Sequence, residues 1–182
     1  MVYVLLADGF EEIEALSPVD LLRRAGVTVQ TVGVDTLTPR GARGVAVTAD
    51  IALEDLPADA EMVVLPGGFP GYENLAKNQT LCEYLKAFRG IIAAICGAPS
   101  VLGGLGLLAG KRATCYPGME DKLGGAIHTA DAVCRDGDII TSRSAGTALA
   151  FSLTLVKALC GTEVAAQTAK AIDSDIDVRL LP

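Results

Sequence analysis

The stretch that decides the fold is Ile91-Ile92-Ala93-Ala94-Ile95-Cys96-Gly97-Ala98-Pro99, an apolar run that stops at a cysteine, a glycine and a proline. The run predicts a buried strand, Gly97 permits a tight turn, and Pro99 has the fixed φ that suits the first turn of a helix. Cys96 is therefore predicted to lie on a sharp strand-to-helix turn, where backbone N–H groups and the helix dipole favour the thiolate. This is the arrangement of a nucleophile elbow. The alternative is a buried cysteine that only fills space in the core.

The rest of the chain alternates between the two periodicities of strands and helices. Strands are predicted over 2–7, 27–34, 61–65, 91–95, 112–115 and 138–142, and helices over 11–25, 80–88, 99–108, 147–159 and 162–171. Residues 36–50 suggest a hairpin or an irregular excursion. This alternation predicts one doubly wound α/β domain over 1–182 with a mostly parallel sheet. Ligands of such folds bind at the carboxyl ends of strands, where residues 8–14, Gly67-Gly68 and Cys96 are expected to meet.

Composition excludes several classes of function. A net charge of −7 argues against a protein that binds the nucleic-acid backbone. The first residues lack a basic region, and their apolar run is too short for a signal peptide or a membrane span, so a cytoplasmic protein without a membrane partner is predicted. The five cysteines are widely spaced and include no Cys-x-x-Cys pair, which predicts neither a disulfide framework nor a metal site. The glycine-rich stretches match no phosphate-binding motif, so no cofactor is expected.

Three carboxylates, Glu11, Glu12 and Glu14, open the first predicted helix. Helix capping accounts for Glu11 and Glu12. Glu14 lies one turn in, from where its side chain is able to point into the cleft. A carboxylate beside Cys96 would raise the thiol pKa, so Glu14 is expected to be protonated, to donate a hydrogen bond to the thiolate and to act as a proton shuttle.

Backbone donors and a histidine complete the candidate site. Gly67-Gly68 has the composition of a tight turn, but the N–H groups of Gly68 and Gly97 are also suited to flank the thiolate and stabilise a developing oxyanion. His128 is the only histidine, so any cysteine-histidine mechanism must use it. It lies in an apolar, strand-like stretch, and a purely structural role is the competing interpretation.

Four segments taken together resemble the ThiJ/PfpI superfamily, and within it the DJ-1 branch. They are residues 7–14, 64–68, 93–99 and 141–147, which follow in order along nearly the whole chain. The resemblance implies a flavodoxin-like three-layer sandwich, related to that of class I glutamine amidotransferases, and a homodimer. It also implies that Cys96 is the reactive cysteine, that Glu14 is the protonated glutamate beside it, and that Gly68 and Gly97 supply the backbone donors. Arg43 resembles an arginine that a partner subunit brings near the pocket.

Departures from the pattern restrict the function. Gly97 follows the cysteine where the protease-like and chaperone-glyoxalase branches carry histidine, so protease or amidase activity through that histidine is not supported. The late His-x-Glu pair of glutamine amidotransferases is absent. His128 matches a histidine found in some members of the branch only if a gap of one residue is allowed.

Two functions of different classes follow from the resemblance. In the first, Cys96 attacks the aldehyde of a small dicarbonyl or a glycated group, Glu14 moves the proton and water releases a hydroxy acid. This is cofactor-free glyoxalase or deglycase chemistry, of the hydro-lyase or hydrolase type. In the second, Cys96 is a redox sensor whose sulfinic form is held by Glu14, and the protein is a stress-responsive or chaperone module.

Overall fold

The computed structural model describes residues 1–182, and its elements form a seven-stranded sheet between helical layers. The strands are β1 Val2–Leu6, β2 Val29–Gly33, β3 Ile51–Ala52, β4 Met62–Leu65, β5 Ile91–Ile95, β6 Arg112–Ala113, β7 Ile127–His128, β8 Val133–Asp136 and β9 Ile139–Ser142. The helices are α1 Glu12–Arg24, α2 Gly71–Lys77, α3 Gln79–Ala87, α4 Pro99–Gly104 and α5 Ala148–Ala171. Short 3-10 turns cover Leu53–Asp55, Glu120–Leu123, Ala145–Thr147 and Val178–Leu180.

The strand order of the main sheet determines where the candidate site lies. It reads β3-β2-β1-β4-β5-β9-β8, and all neighbours are parallel except β8, which runs antiparallel to β9 at one edge. The chain moves outward from β1 to β3 and then returns to the other side of β1 at β4. Such a reversal opens a crevice at the carboxyl ends of the strands. The segments that follow β1, β4 and β5 therefore lie side by side at one edge of the sheet.

Successive side chains of β1 point to opposite faces of the sheet, and the core is correspondingly divided into two layers. Val2, Val4 and Leu6 pack on one face with α1 and α5, while Tyr3 and Leu5 pack on the other face with α3 and α4. The sheet is thus covered on both faces, as expected for parallel strands. The predicted three-layer α/β sandwich is confirmed.

Some element boundaries differ from the predicted ones. The fourth helix ends at Gly104 and does not continue to 108, because two glycines weaken it and Gly106 has a φ of +75°. The edge strand β8 was not predicted, since its polar end, Arg135-Asp136, hides the strand pattern. In residues 36–50 an antiparallel bridge joins Arg40 and Ala46, in agreement with the predicted excursion.

The long helix α5 bends where the sequence predicts a break between two helices. Gly161 has a φ of +85° and a ψ of 170°, which is not helical. By length and composition alone, residues 145–171 would be able to cross a membrane. Phe151 and Leu153 of this segment are fully buried against the sheet, which accounts for its apolar character.

Candidate active site

Cys96 lies on the predicted turn between β5 and α4. Its φ of +65° is in the left-handed region that few residues other than glycine adopt, as in a nucleophile elbow. The main chain holds it on both sides, because its N–H donates to the carbonyl oxygen of Ser142 at 2.9 Å and its own carbonyl accepts from the N–H of Tyr116 at 2.8 Å. Pro99 is at the first position of the helix. The residue is half-buried and lines an open cleft.

Glu14 is a fully buried carboxyl group beside the thiol. It projects from the first turn of α1, and its Oε2 accepts a 2.8 Å hydrogen bond from the N–H of Gly67. No nitrogen or oxygen donor reaches the buried Oε1 atom. Burial has the largest effect and raises the pKa of Glu14 to about 7, although the N–H of Gly67 and the neighbouring Cys96 thiol both act in the lowering direction. A carboxyl group with such a pKa is able to hold a proton near neutral pH.

The pKa of the Cys96 thiol is raised to about 12, whereas the sequence predicts that it is lowered. Burial is the main cause, and the negative charge of Glu14 adds to it, while the N–H groups of Gly97 and Gly68 act in the lowering direction. The two backbone donors therefore lower the pKa of the thiol by less than burial beside a carboxylate raises it. Because the two groups are coupled, they lose their protons in two steps that belong to the pair. The first proton is lost near pH 7 and the second at a much higher pH, so the pair carries one negative charge between these two steps.

Three glycines allow the close approach of the elements around the thiol. A Cβ atom on Gly67 would lie 2.7 Å from both Cys96 Cβ and Glu14 Oε2. Gly68 has a φ of +88°, which a residue with a side chain rarely adopts. A Cβ atom on Gly97 would lie 2.6 Å from Cδ1 of the Tyr72 ring. The Pro-Gly-Gly sequence after β4 is thus both a tight turn and a wall of the site.

Glu11 is the N-cap residue of α1 and Glu12 lies in its first turn, near the positive end of the helix dipole as predicted, but neither side chain accepts a capping hydrogen bond. Oε1 of Glu12 accepts hydrogen bonds from the N–H groups of Arg43 at 2.7 Å and Val45 at 3.4 Å. The Arg43 guanidinium lies 3.8 Å from Oε2 of Glu11. The two carboxylates instead attach the loop around Arg43 to the helix.

The cleft brings together most of the predicted site residues. It has a volume of about 510 Å³, and Glu14, Arg43, Gly68, Cys96 and Gly97 of this one chain all line it. A separate cavity of about 560 Å³ lies near the chain end and includes none of these residues.

His128 is not among the residues that line the cleft. It is exposed on β7, in the small two-stranded sheet with β6. Its catalytic role stays a prediction.

Several other side chains line the same cleft and were not predicted. They are Phe69, Tyr72, Tyr116, Met119, Lys122 and Ser144. Phe69 and Tyr72 come directly after the Gly67-Gly68 turn, so the rule that ligands bind beyond strand ends would have pointed to them. The sequence around Tyr116 has no pattern that predicts a place in the cleft. Tyr116 reaches the cleft because the chain after β6 returns to Cys96, where the N–H of Tyr116 donates to the carbonyl oxygen.

A strained cysteine on a strand-to-helix turn, beside a buried carboxyl group at the carboxyl edge of a parallel sheet, defines a class of α/β proteins with a cysteine elbow. The chain belongs to the DJ-1/PfpI family, whose family model matches residues 1–158. It is 40% identical over 173 residues to the Parkinson disease protein 7 homolog of Danio rerio, covering 90% of this chain and 92% of that one. It is 36% identical over 159 residues to the glutathione-independent glyoxalase DJR-1.2 of Caenorhabditis elegans, covering 84% of each.

Solved structures agree with this assignment. An oxidized Toxoplasma gondii DJ-1 has a TM-score of 0.91 and 35% identity, covering 96% of this chain and 98% of that one. Drosophila melanogaster DJ-1beta has a TM-score of 0.90 and 34% identity, covering 96% and 98%. The family and fold expected from the sequence are thus confirmed.

Proposed function

We propose that the protein is a cofactor-free glyoxalase or deglycase in which Cys96 is the nucleophile and Glu14 the proton shuttle. The observation that carries the proposal is the contact between a strained cysteine and a buried carboxyl group with a pKa of about 7. A group with that pKa accepts and returns protons efficiently near neutral pH. The name of the Caenorhabditis elegans relative gives the same chemistry, independent of glutathione.

The reaction starts from the pair with one proton. In the reactive form Glu14 keeps that proton and the charge is on the Cys96 sulfur, which the N–H groups of Gly68 and Gly97 favour. The sulfur adds to the aldehyde carbon of methylglyoxal, and the new alkoxide takes the proton of Glu14. The Glu14 carboxylate then removes the hydrogen on that carbon as a proton. An enediolate results, with the sulfur still attached and the negative charge on the oxygen of the neighbouring carbon.

The second half of the reaction returns the proton and consumes water. The proton on one enediolate oxygen passes to the other oxygen, and Glu14 delivers its proton to the carbon not bonded to sulfur, which gives a thioester of the hydroxy acid. Glu14 then takes a proton from water, the resulting hydroxide attacks the thioester, and the carbon–sulfur bond breaks. Lactate leaves, and the pair is restored with one proton. Carbon is oxidised at one position and reduced at the next, so the balance requires no external oxidant.

The test is lactate formation from methylglyoxal without glutathione. Product is measured, since thiols trap methylglyoxal reversibly and substrate loss alone is misleading. We expect lactate from the native protein, none above background from Cys96→Ser, and a loss of about 100-fold or more in Glu14→Gln. Cys82→Ser is the matched control, because Cys82 is also a half-buried thiol but lies outside the cleft. Lactate from Cys96→Ser, or none from the native protein, would contradict the proposal.

The second candidate is redox sensing through Cys96. The relative from Toxoplasma gondii was solved in an oxidized form, and Cys96 is half-buried in an open cleft that admits peroxide. Two successive oxygen transfers from peroxide, each releasing water, would give a sulfinate beside Glu14. Peptide mass spectrometry after graded peroxide treatment tests this candidate. Selective addition of two oxygens at Cys96, lost in Glu14→Leu, together with no lactate formation, would favour it over the glyoxalase.

A homodimer is part of the proposal. Ile13 and Leu16 of α1 are exposed by 53% and 36%, although their neighbours Glu14 and Ala15 are fully buried. Large apolar groups exposed on one helix are typical of an interface. Light scattering of the native protein and of Ile13→Glu tests it, with a monomeric native protein as the contrary result.

A further inference from the structure

The candidate cleft contains more aromatic surface than a three-carbon substrate requires. Phe69, Tyr72, Tyr116 and Met119 all line it. Phe69 is 68% exposed and Tyr116 is 48% exposed, so both rings present open faces or edges. The rings of Phe69 and Tyr72 are 6.4 Å apart between centroids and are inclined at 55°, within the range of favourable aromatic pairs.

Two of these rings belong to residues that contact the elbow itself. Tyr72 is in van der Waals contact with the main chain of Gly97, since a Cβ atom there would be only 2.6 Å from its ring. The N–H of Gly97 in turn acts on the Cys96 sulfur. Tyr116 donates its N–H to the carbonyl of Cys96 at 2.8 Å. Tyr72, Tyr116 and Cys96 all line the same cleft, so a substituent on a carbon bonded to the sulfur is able to extend toward both side chains.

The size and chemistry of the cleft indicate which substituent fits. Its volume of about 510 Å³ is far greater than that of methylglyoxal. A methyl group leaves most of the aromatic surface in contact with water, whereas a flat apolar group covers it and pairs with the rings. Glu11, Arg43 and Lys122 also line the cleft, so polar contacts remain for the oxygens of a dicarbonyl.

We propose that Phe69, Tyr72 and Tyr116 form an aryl subsite, and that the substrates preferred by this protein are dicarbonyls with an aryl or similarly flat apolar substituent. The predicted substrate preference rests on the proposed function. The subsite itself concerns binding next to Cys96, and binding is measurable without turnover.

The catalytic test compares phenylglyoxal with methylglyoxal, with mandelate and lactate as measured products. We expect kcat/KM of the native protein to be higher for phenylglyoxal. In Phe69→Ala the ratio of the two kcat/KM values should fall by about two- to tenfold, which corresponds to the loss of one aromatic contact. Leu180→Ala is the control, because Leu180 is 84% exposed and outside the cleft. A native ratio of one or less, or equal losses for both substrates in Phe69→Ala, would overturn the inference.

A second readout separates this inference from the proposed function. Phenacyl bromide and bromoacetone alkylate a thiolate by displacement of bromide, and the Cys96 peptide reports the rate by mass. The ratio of the two rates is divided by the same ratio for free cysteine. This division removes the difference in intrinsic reactivity between the two reagents. We expect a quotient well above one in the native protein and a lower one in Phe69→Ala and Tyr116→Ala.

The combined outcomes are distinct. A quotient above one with no product from either dicarbonyl would retain the subsite and reject the glyoxalase. A quotient of one would reject the subsite, whatever the lactate assay gives.

Discussion

The main-chain N–H of Gly67 donates a 2.8 Å hydrogen bond to Oε2 of Glu14, a residue 53 positions away in the chain. This contact joins the turn after β4 to the first turn of α1, directly beside Cys96. It has room only because Gly67 lacks a side chain. The position of the carboxyl group relative to the sulfur therefore depends on a glycine.

Gly67→Ala should disrupt the pair. The added Cβ atom would lie 2.7 Å from Cys96 Cβ and from Glu14 Oε2, and 3.0 Å from the carbonyl oxygen of Ile95, so the site has to move. We expect a loss of about 1–3 kcal/mol in the free energy of unfolding and a large loss of Cys96 reactivity. Urea unfolding and alkylation kinetics measure the two effects. Gly146→Ala is the control in the same cleft, where the nearest atom to a Cβ is 3.9 Å away; equal effects of both changes would refute the packing explanation.

The reactivity of Cys96 should depend on pH through the first proton of the pair. The pKa of Glu14 is about 7 and that of Cys96 about 12, so a single charge is present between these values. If that charge reaches the sulfur, as we propose, the rate of iodoacetamide alkylation rises through about pH 7 and then stays level. In Glu14→Gln the rise should move to higher pH, because the thiol then titrates alone in a buried site. A native rate that is flat from pH 6 to 9 would place the charge on Glu14 alone.

The same carboxyl group should make stability depend on pH. Folding raises the pKa of Glu14 from 4.5 to about 7, so between these values the folded state holds a proton that the unfolded state has lost. The free energy of unfolding therefore falls as pH rises through this range, by about 3 kcal/mol from this group. Urea unfolding of the native protein and of Glu14→Gln at pH 5 and pH 8 isolates the effect. The variant should lose less stability than the native protein, and parallel losses would contradict the raised pKa.

Glu12 should be a positioning residue for the loop that carries Arg43. It accepts hydrogen bonds from the N–H groups of Arg43 and Val45, and its Oε2 atom is buried without a partner. In Glu12→Ala we expect faster amide hydrogen exchange at Arg43 and Val45 and a loss of about 1–2 kcal/mol in stability. Asp20→Ala is the control on the same helix, since its exposed ion pair with Arg24 should contribute little. Unchanged exchange at Arg43 would exclude the positioning role.

The sequence was sufficient for the elements that obey local rules. The apolar run up to Cys96 and the proline after it predicted the elbow, and the spacing within α1 placed Glu14 toward the cleft. Effects that depend on the assembled fold were not accessible in this way. The pKa of Cys96 depends on burial by elements distant in sequence, and the carboxylate of Glu12 serves a loop 31 residues further along the chain.

The histidine shows a related difficulty. A chain with a single histidine directs attention to it, yet β7 lies in the small sheet and leaves His128 exposed. Tyr116, which does line the cleft, is placed there by a main-chain hydrogen bond to Cys96. No pattern of side chains encodes that bond, so sequence reasoning had no means of finding it.

The main-chain attachment of Cys96 has a consequence for how such a protein diversifies. The N–H and carbonyl groups of Cys96 are bound by backbone atoms of Ser142 and Tyr116, and these backbone atoms survive any exchange of side chains except a change of Tyr116 to proline, which has no N–H. Other substitutions at positions 69, 72 and 116 are thus free to reshape what the cleft admits while Cys96 stays in place. Under the proposed function, single amino-acid changes at these positions would alter the preferred substrate and leave the chemistry intact, which would make this scaffold a favourable starting point for laboratory evolution.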